Sequence, residues 1–343
     1  MRDVTAVGVA AGSVADLAIG DPARWHPVAG FGALAGALEV RCWRPSRLAG
    51  AGYAGVLVAG TAALTVLADR RLRSRPVARA AFAAAVTWAA LGGRSLGQAA
   101  GALAREVRAG DLDAARRLAP ALVGRDPAGM DAPELCRAAV ESVAENTADA
   151  VVGPLLWGAL AGPAGVAAYR AANTLDAMVG HRSARHARFG WAAARLDDAL
   201  TWPAARLAAG LACLLAPAAG GDPGRAWRTL RRDGAAHPSP NAGRLEAAFA
   251  GALGVRLGGR NRYPWQVEER PPLGDGPAPG PDAVARAVRL SRAIGLAAAA
   301  LATAAAWAGP AAARRLREGK VARGRALAGP RSDHRRSNHR ALP

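Results

Sequence analysis

The chain has 343 residues, 51% of them hydrophobic, and a net charge of +19 carried almost wholly by arginine. Lys320 is the only lysine, which excludes a P-loop with its Gly-Lys-Ser/Thr ending and leaves any phosphates to Arg, backbone N–H groups and metal. The arginines accompany Ala and Gly richness without interleaved aromatics, so no nucleic-acid partner is read; widely spaced Cys42, Cys136 and Cys213 support neither disulfides nor a zinc site.

Residues 4–15 form a short apolar run ending in Ser13-Val14-Ala15, which could pass for a signal-peptidase site. Asp3 cancels Arg2, however, and a polar cluster begins at once, so the segment is expected to be kept. That cluster is Asp16-Leu-Ala-Ile-Gly-Asp21-Pro22, followed by His26-Pro27-Val28. Its Asp-Pro and His-Pro steps predict a loop presenting Asp21 and His26, either as site residues or as ordinary turn residues. The uncharged window 48–68 follows; a bilayer needs about 20 mostly apolar residues. Five arginines in 70–79 and a shorter uncharged run, 80–93, come next.

Glu141-Ser-Val-Ala-Glu145-Asn-Thr-Ala-Asp149 then runs into a second uncharged stretch, 150–169. On a helix Glu141, Glu145 and Asp149 stand at i, i+4 and i+8, one acidic stripe whose like-charge pairs each cost about 0.2–0.5 kcal/mol. A solvated helix face tolerates such a stripe. Beside an apolar segment it calls for a cation, and Mg²⁺ carrying a nucleotide is the first candidate, because Mg²⁺ is held by one or two carboxylates plus phosphates.

Beyond it lie Arg170, Asn173-Thr-Leu-Asp176, Gly180-His181 and Arg195-Leu-Asp197-Asp198. Asn173 and Asp176 share a helix face, and the Asp pair suits either a metal or a helix start. After the apolar run 207–221 comes Arg231-Arg232-Asp233, then His237-Pro-Ser239-Pro-Asn241-Ala-Gly243-Arg244. Ser239 before Pro240 reads as N-cap and first helical residue; with Arg231 and Arg232 upstream, that helix start is an anion-site candidate. A Pro/Gly loop over 270–282, the uncharged window 293–313, and a tail over 314–340 with ten Lys/Arg against two acidic residues complete the chain.

Strand patterns are lacking. The fold expected is all-α: a polytopic integral membrane protein with about four to five transmembrane or re-entrant helices and polar helical loops. Residues 1–313 form one membrane domain and 314–343 a basic, flexible tail, which the positive-inside rule puts with 70–79 on the cytoplasmic side. If 150–169 and 207–221 both crossed the bilayer, the Asn173 cluster would face away from the others. A shared site therefore requires a re-entrant segment or an internal cavity, and Gly153-Pro154 and Gly162-Pro163 are where a helix would break.

Together the clusters resemble the CobD/CbiB family of cobalamin biosynthesis, the adenosylcobinamide-phosphate synthases. The resemblance rests on Gly20-Asp21-Pro22 with His26-Pro27-Val28, Val140-Glu-Ser-Val-Ala-Glu-Asn-Thr147 with Asp149, Asn173-Thr-Leu-Asp176, and Phe189-Gly-Trp-Ala-Ala-Ala-Arg-Leu-Asp-Asp198. It continues through His237-Pro-Ser-Pro-Asn-Ala-Gly243 and Leu257-Gly-Gly259, and covers about residues 10–310. Thr201, and Arg244-Leu245 after Gly243, depart from the family's pattern. The resemblance implies a multi-pass enzyme of the cell (inner) membrane that joins a carboxylate of adenosylcobyric acid to the amine of aminopropanol or its phosphate, consuming ATP. Other cobalamin-assembly enzymes are candidate partners. A carboxylate must be activated before an amine can displace its oxygen, which calls for metal-bound ATP and cationic stabilisation. On this reading Glu141, Glu145, Asp149, Asp197 and Asp198 are the Mg²⁺ ligands, with Glu145 and Asp198 also catalytic. Asp21, Asn173, Asp176, Arg231, Arg232, Ser239, Asn241 and Gly243 bind substrate or phosphate, and His237 or His26 is the general base. The alternative is a non-catalytic scaffold or corrinoid carrier of the same pathway.

Overall fold

A computed structural model describes residues 2–21, 26–181, 183–263 and 266–327. Pro22 of the first motif and residues 328–343 of the basic tail lie outside the described residues. The chain is an all-α membrane protein with one small sheet. Helices α1 (Arg2–Ile19), α2 (Pro27–Cys42), α3 (Arg47–Arg71), α4 (Pro76–Ala90), α5 (Gly93–Ala109) and α6 (Leu112–Leu118) lead into α7 (Ala132–Thr147). A π-helical turn (Ala148–Val152) joins α7 to α8 (Gly153–Val179). Then come α9 (His186–Phe189), α10 (Trp191–Leu214), α11 (Pro223–Asp233), α12 (Ala242–Leu253), the hairpin β1 (Leu257–Tyr263) and β2 (Gln266–Leu273), and α13 (Pro281–Leu327).

Among the described residues three segments are long and apolar enough to cross a membrane: Arg47–Arg71, Ala132–Val179 and Pro281–Ala308; Val4–Ile19 is a shorter apolar helix. The run 80–93 is cut at Ala90, where the 15-residue α4 ends, and 207–221 is interrupted where α10 stops at Leu214. The boundary drawn at 313 falls inside α13, so 314–327 continue that helix.

Ala132–Val179 is not one straight crossing. At Gly162 the backbone reverses with φ +65° and ψ −158°, a region essentially reserved for glycine, and Pro163 opens the return arm. A Cβ on Gly158 would sit 3.0 Å from Val166, one on Gly153 would strike the Tyr169 ring, and one on Gly165 the Trp157 carbonyl. These pairings are those of an antiparallel helical hairpin closed by small residues. The uncharged stretch 150–169 therefore enters and returns, which leaves Asp149 and Asp176 at the same end. Gly162→Ala is expected to lower stability by about 1–3 kcal/mol, read as a drop in thermal unfolding temperature of the detergent-solubilised protein; an unchanged temperature would mean that the reversal carries no such strain.

Packing is tight because alanine dominates the contacts. α12 is buried all round except at Arg244, and α7 buries ten of its sixteen residues, Glu141 included. A capping box of Asp131 and Glu134 with Pro at the first turn fixes where α7 begins.

The hairpin corrects the expectation of no strands and of a loop from residue 270. β1 and β2 pair antiparallel from Leu257↔Leu273 to Tyr263↔Gln266, and only 274–280 are loop. Alternation is hidden because β2 contains Pro271-Pro272, tolerated where a two-stranded sheet offers only edges. Gly258, at φ +80°, packs so closely on the Pro271 carbonyl that no Cβ fits.

Candidate active site

Five carboxylates meet in one place. Glu145 from α7, Asp149 from the π turn, Asp176 from the return arm of α8, and Asp197 and Asp198 from α10 line a cavity of about 60 Å³, closed by Thr201, Ser239, Asn241 and Leu245. The chain reversal at Gly162 is what brings Asp149 and Asp176 together, and π turns recur at functional sites. Glu145 lies deep within the fold yet stays solvent-accessible, as a group lining an internal cleft does. Asn173 Nδ2 donates to Asp197 Oδ1 at 3.2 Å and Arg170 Nη1 to Asn173 Oδ1 at 3.1 Å, so one chain orients Asp197. Thr201 Oγ1 completes it, 3.4 Å from Asp197 Oδ1 and 3.1 Å from the Tyr169 hydroxyl. Burial pushes the Asp197 carboxyl up to about 6, against the lowering pull of the Asn173 hydrogen bond.

Glu141 departs from the stripe. Only 1% of its side chain is exposed; it pairs with Arg125, lies 3.3 Å from Arg137 and accepts the Gly258 N–H at 2.8 Å. Both its oxygens are taken, and it faces the hairpin, not the cavity, eight residues before Asp149 at the far end of the stripe. It fastens β1 to α7, and the metal-ligand expectation does not hold for it.

The two histidines share a local structure. His26 Nδ1 accepts the Val28 N–H at 3.2 Å and His237 Nδ1 accepts the Ser239 N–H at 3.0 Å. With Nδ1 an acceptor, the neutral ring carries its proton on Nε2, so both are hydrogen-bond donors there rather than bases. Burial, reinforced by the Arg270 charge, holds His237 down at about 4. His26 caps α2 with Pro27 in the first turn, its Nε2 lying 3.8 Å from Asp21 Oδ1. Pro27 and Val28 meet Arg170 and Thr174 in a separate apolar cavity of about 280 Å³.

The predicted anion site at 239–243 is also rearranged. α12 begins at Ala242, two residues later than read, and Ser239 Oγ already accepts the N–H groups of Asn241 and Ala242 at 3.3 and 3.2 Å. Asn241 Nδ2 donates to the Asp198 carbonyl at 2.9 Å, tying this turn to α10. Gly243 is needed because a Cβ there would strike the His237 side chain. Arg231 and Arg232 are exposed at the end of the amphipathic α11 and line a different, open cavity with Arg225, Trp227, Arg228 and Asp275. Arg232 is paired with Asp233 at 2.6 Å and Asp275 at 3.2 Å. Besides Arg244 in the first turn of α12, Arg206 approaches this start, 3.4 Å from Asn241 Oδ1.

The sequence reading also missed Glu246, one residue beyond cavity-lining Leu245, and its neighbours Arg125 and Arg270. Their signal was available: a glutamate in an otherwise apolar Ala/Gly/Phe helix. Among the described residues no three His, Cys, Asp or Glu side chains close on a single point as a finished metal site. Spaced carboxylates around a cleft suit Mg²⁺, which keeps several waters and takes only one or two carboxylates besides phosphate oxygens.

The match to a family model decides the relationship: residues 9–291 fit that of the CobD/Cbib protein family. The chain belongs to the CobD/CbiB family. It is 54% identical over 299 residues to the cobalamin biosynthesis protein CobD of Mycobacterium tuberculosis, covering 87% of this chain and 94% of that one. The CobD proteins of Chromobacterium violaceum and Rhodobacter capsulatus are 43% and 40% identical, over 80% and 84% of this chain and 88% and 91% of theirs. No solved structure matches. The family places the chain in cobalamin biosynthesis.

Proposed function

We propose that this protein is the ATP-dependent amide ligase of cobalamin assembly, joining a side-chain carboxylate of adenosylcobyric acid to the amine of aminopropanol or aminopropanol phosphate in the cell (inner) membrane. The positive-inside rule supports a cytoplasmic side for the basic stretches 70–79 and 314–340. One observation carries the reading: Glu145, Asp149, Asp176, Asp197 and Asp198 converge on a single cavity. Carboxylates so close cannot all stay charged without protons or a cation, and the chemistry of an acyl activation brings Mg²⁺ with its nucleotide.

When bound, Mg·ATP supplies the phosphoryl or adenylyl group that makes the corrin carboxylate electrophilic. The chain's residues do the rest. Asp149 and Asp197 would hold the metal, with Asp197 aimed by Asn173 and Thr201. Asp176 and Asp198, on the same wall, would complete the acidic lining around it. Since His26 and His237 are donors at Nε2, a carboxylate must take the amine's proton, and Glu145, the most exposed of the cavity carboxylates, suits that role. Ser239 and Asn241 keep the α12 turn against α10 so that the cavity holds its shape.

The test is detergent-purified protein with adenosylcobyric acid, Mg·ATP and either amine, analysed by mass spectrometry. A corrinoid amide is expected, abolished by EDTA and restored by added Mg²⁺. Folded protein that makes no product with either amine overturns the ligase reading in favour of a scaffold or corrinoid carrier.

A further inference from the structure

A separate cavity of about 250 Å³ opens between α1, α5, α13 and the start of α8, and its described walls share no residue with the carboxylate cavity. Asp16 lines it, only 4% exposed, and Asp16 Oδ1 has no hydrogen-bond partner. The other carboxylate oxygen sits over the first turn of α5, where a Cβ on Gly93 would be 3.1 Å from Oδ2. Two arginines line the same cavity. Arg94 Nη1 donates to the Leu17 carbonyl at 2.6 Å, which leaves further N–H groups on that guanidinium. Arg292 is exposed, and its Nη2 would be 3.7 Å from a Cβ on Gly97, one helical turn after Arg94. The cavity thus offers both signs of charge.

It continues into an apolar groove of about 650 Å³ between α1 and α13, and Ser13, Leu17, Leu296 and Ala299 line both. Ala6, Val7 and Trp307 line only the groove, so the two helices run antiparallel, with a polar end at Asp16 and Arg292 and an apolar end toward Trp307. Those two charged residues are also where the uncharged stretches 4–15 and 293–313 stop, the level at which hydrocarbon gives way to headgroups. Val7, Val14, Leu296 and Trp307 are exposed, and Pro281–Ala308 is long and apolar enough to cross a membrane. The groove therefore opens to lipid. Water would fill the polar cavity but finds no partner along the groove. A simple anion would engage the arginines and leave the buried Asp16 oxygen without a donor, a costly arrangement.

We propose that this site holds one phosphatidylethanolamine, its phosphate on Arg94 and Arg292, its ammonium on Asp16 and an acyl chain in the α1–α13 groove. The planar guanidinium fork matches phosphate oxygens. The ammonium gives Asp16 Oδ1 a charged donor, the strongest kind of hydrogen bond for a buried carboxylate. A choline head carries positive charge but no N–H, and a glycerol head carries hydroxyls but no positive charge, so neither satisfies Asp16 as fully. Bound there, the lipid packs α1 against α13 beside Val151 and Leu155 of the same wall. The site stands whether or not the neighbouring cavity ligates an amine.

Native mass spectrometry of the full-length protein tests this, after lipid is stripped in detergent and phosphatidylethanolamine, phosphatidylcholine or phosphatidylglycerol of identical chains is added. One phosphatidylethanolamine per chain is expected, bound about tenfold tighter than either other lipid, the scale of one charge-assisted hydrogen bond. Asp16→Asn should erase that preference. Arg292→Gln should weaken all three lipids about tenfold by removing a phosphate contact, and Ala299→Phe should weaken all three by filling the chain's path. Phosphoethanolamine, the same head without chains, is expected not to displace the bound lipid. Equal binding of the three lipids by the wild type, or an undiminished preference in folded Asp16→Asn, overturns the proposal. If Asp16→Asn does not fold, unchanged lipid affinity in Arg292→Gln overturns it. Displacement by phosphoethanolamine would give the cavity to a soluble phosphate ester, and a lipid-free dimer would give the groove to a second copy; either result also overturns it.

Discussion

Glu145→Gln is expected to lower amide formation by about 10²–10³-fold, the loss seen when one group stabilising developing charge is removed, with the protein still folded in membranes. The reasoning is geometric. Glu145 is the most exposed of the cavity carboxylates, while Asp197 is committed to Asn173 and Thr201. Glutamine keeps the shape and hydrogen-bonding capacity but cannot accept the amine's proton. Turnover with saturating Mg·ATP, measured beside the thermal unfolding temperature, separates loss of chemistry from loss of fold. Near wild-type turnover would take Glu145 out of the site. Glu141→Gln should behave in the opposite way, moving the unfolding temperature first, because its oxygens are consumed by Arg125, Arg137 and the Gly258 N–H.

Arg125→Met is expected to destabilise the protein by about 3–5 kcal/mol, the cost of stranding one partner of a buried ion pair. The Arg125 and Glu141 side chains are 6% and 1% exposed, so water cannot replace the missing guanidinium. Arg137 remains at 3.3 Å but already serves Asn261 and the Gly258 and Arg260 carbonyls. The companion variant Arg125→Met/Glu141→Leu should recover much of the loss, since removing both charges removes the burial penalty. Denaturant unfolding of the two variants in detergent checks this, and a single variant as stable as wild type would show that the pair does not hold the hairpin on α7.

The part of the site legible in sequence was the part written in short-range pattern. Acidic residues beside uncharged runs marked Glu145, Asp149, Asp176, Asp197 and Asp198, and each lines the cavity. The two Gly-Pro steps marked a helix that would break, and it reverses at Gly162. The same rules misled where charge alone was counted. Arg231 and Arg232 sit near a helix start in sequence, but both are exposed on α11, and Arg232 pairs with Asp233 and Asp275. Glu141 belongs to the stripe by spacing, and only the hairpin's arrival shows it to be a structural anchor. The hairpin itself was hidden by its prolines and glycines.

What the sequence determined by itself was the all-α membrane class, the family, and the set of acidic residues available for chemistry, because these depend on composition, on hydropathy over a helix length and on contiguous motifs. What only the tertiary structure decided was the grouping. The antiparallel return of α8 brings Asp149 and Asp176 together across the reversal at Gly162, and α12 carries Glu246 to 3.9 Å from His237 and 4.0 Å from Arg270, residues drawn from separate segments. Such contacts depend on where glycine lets two backbones close and on which buried charges find partners, and neither quantity is written in any local stretch of the chain.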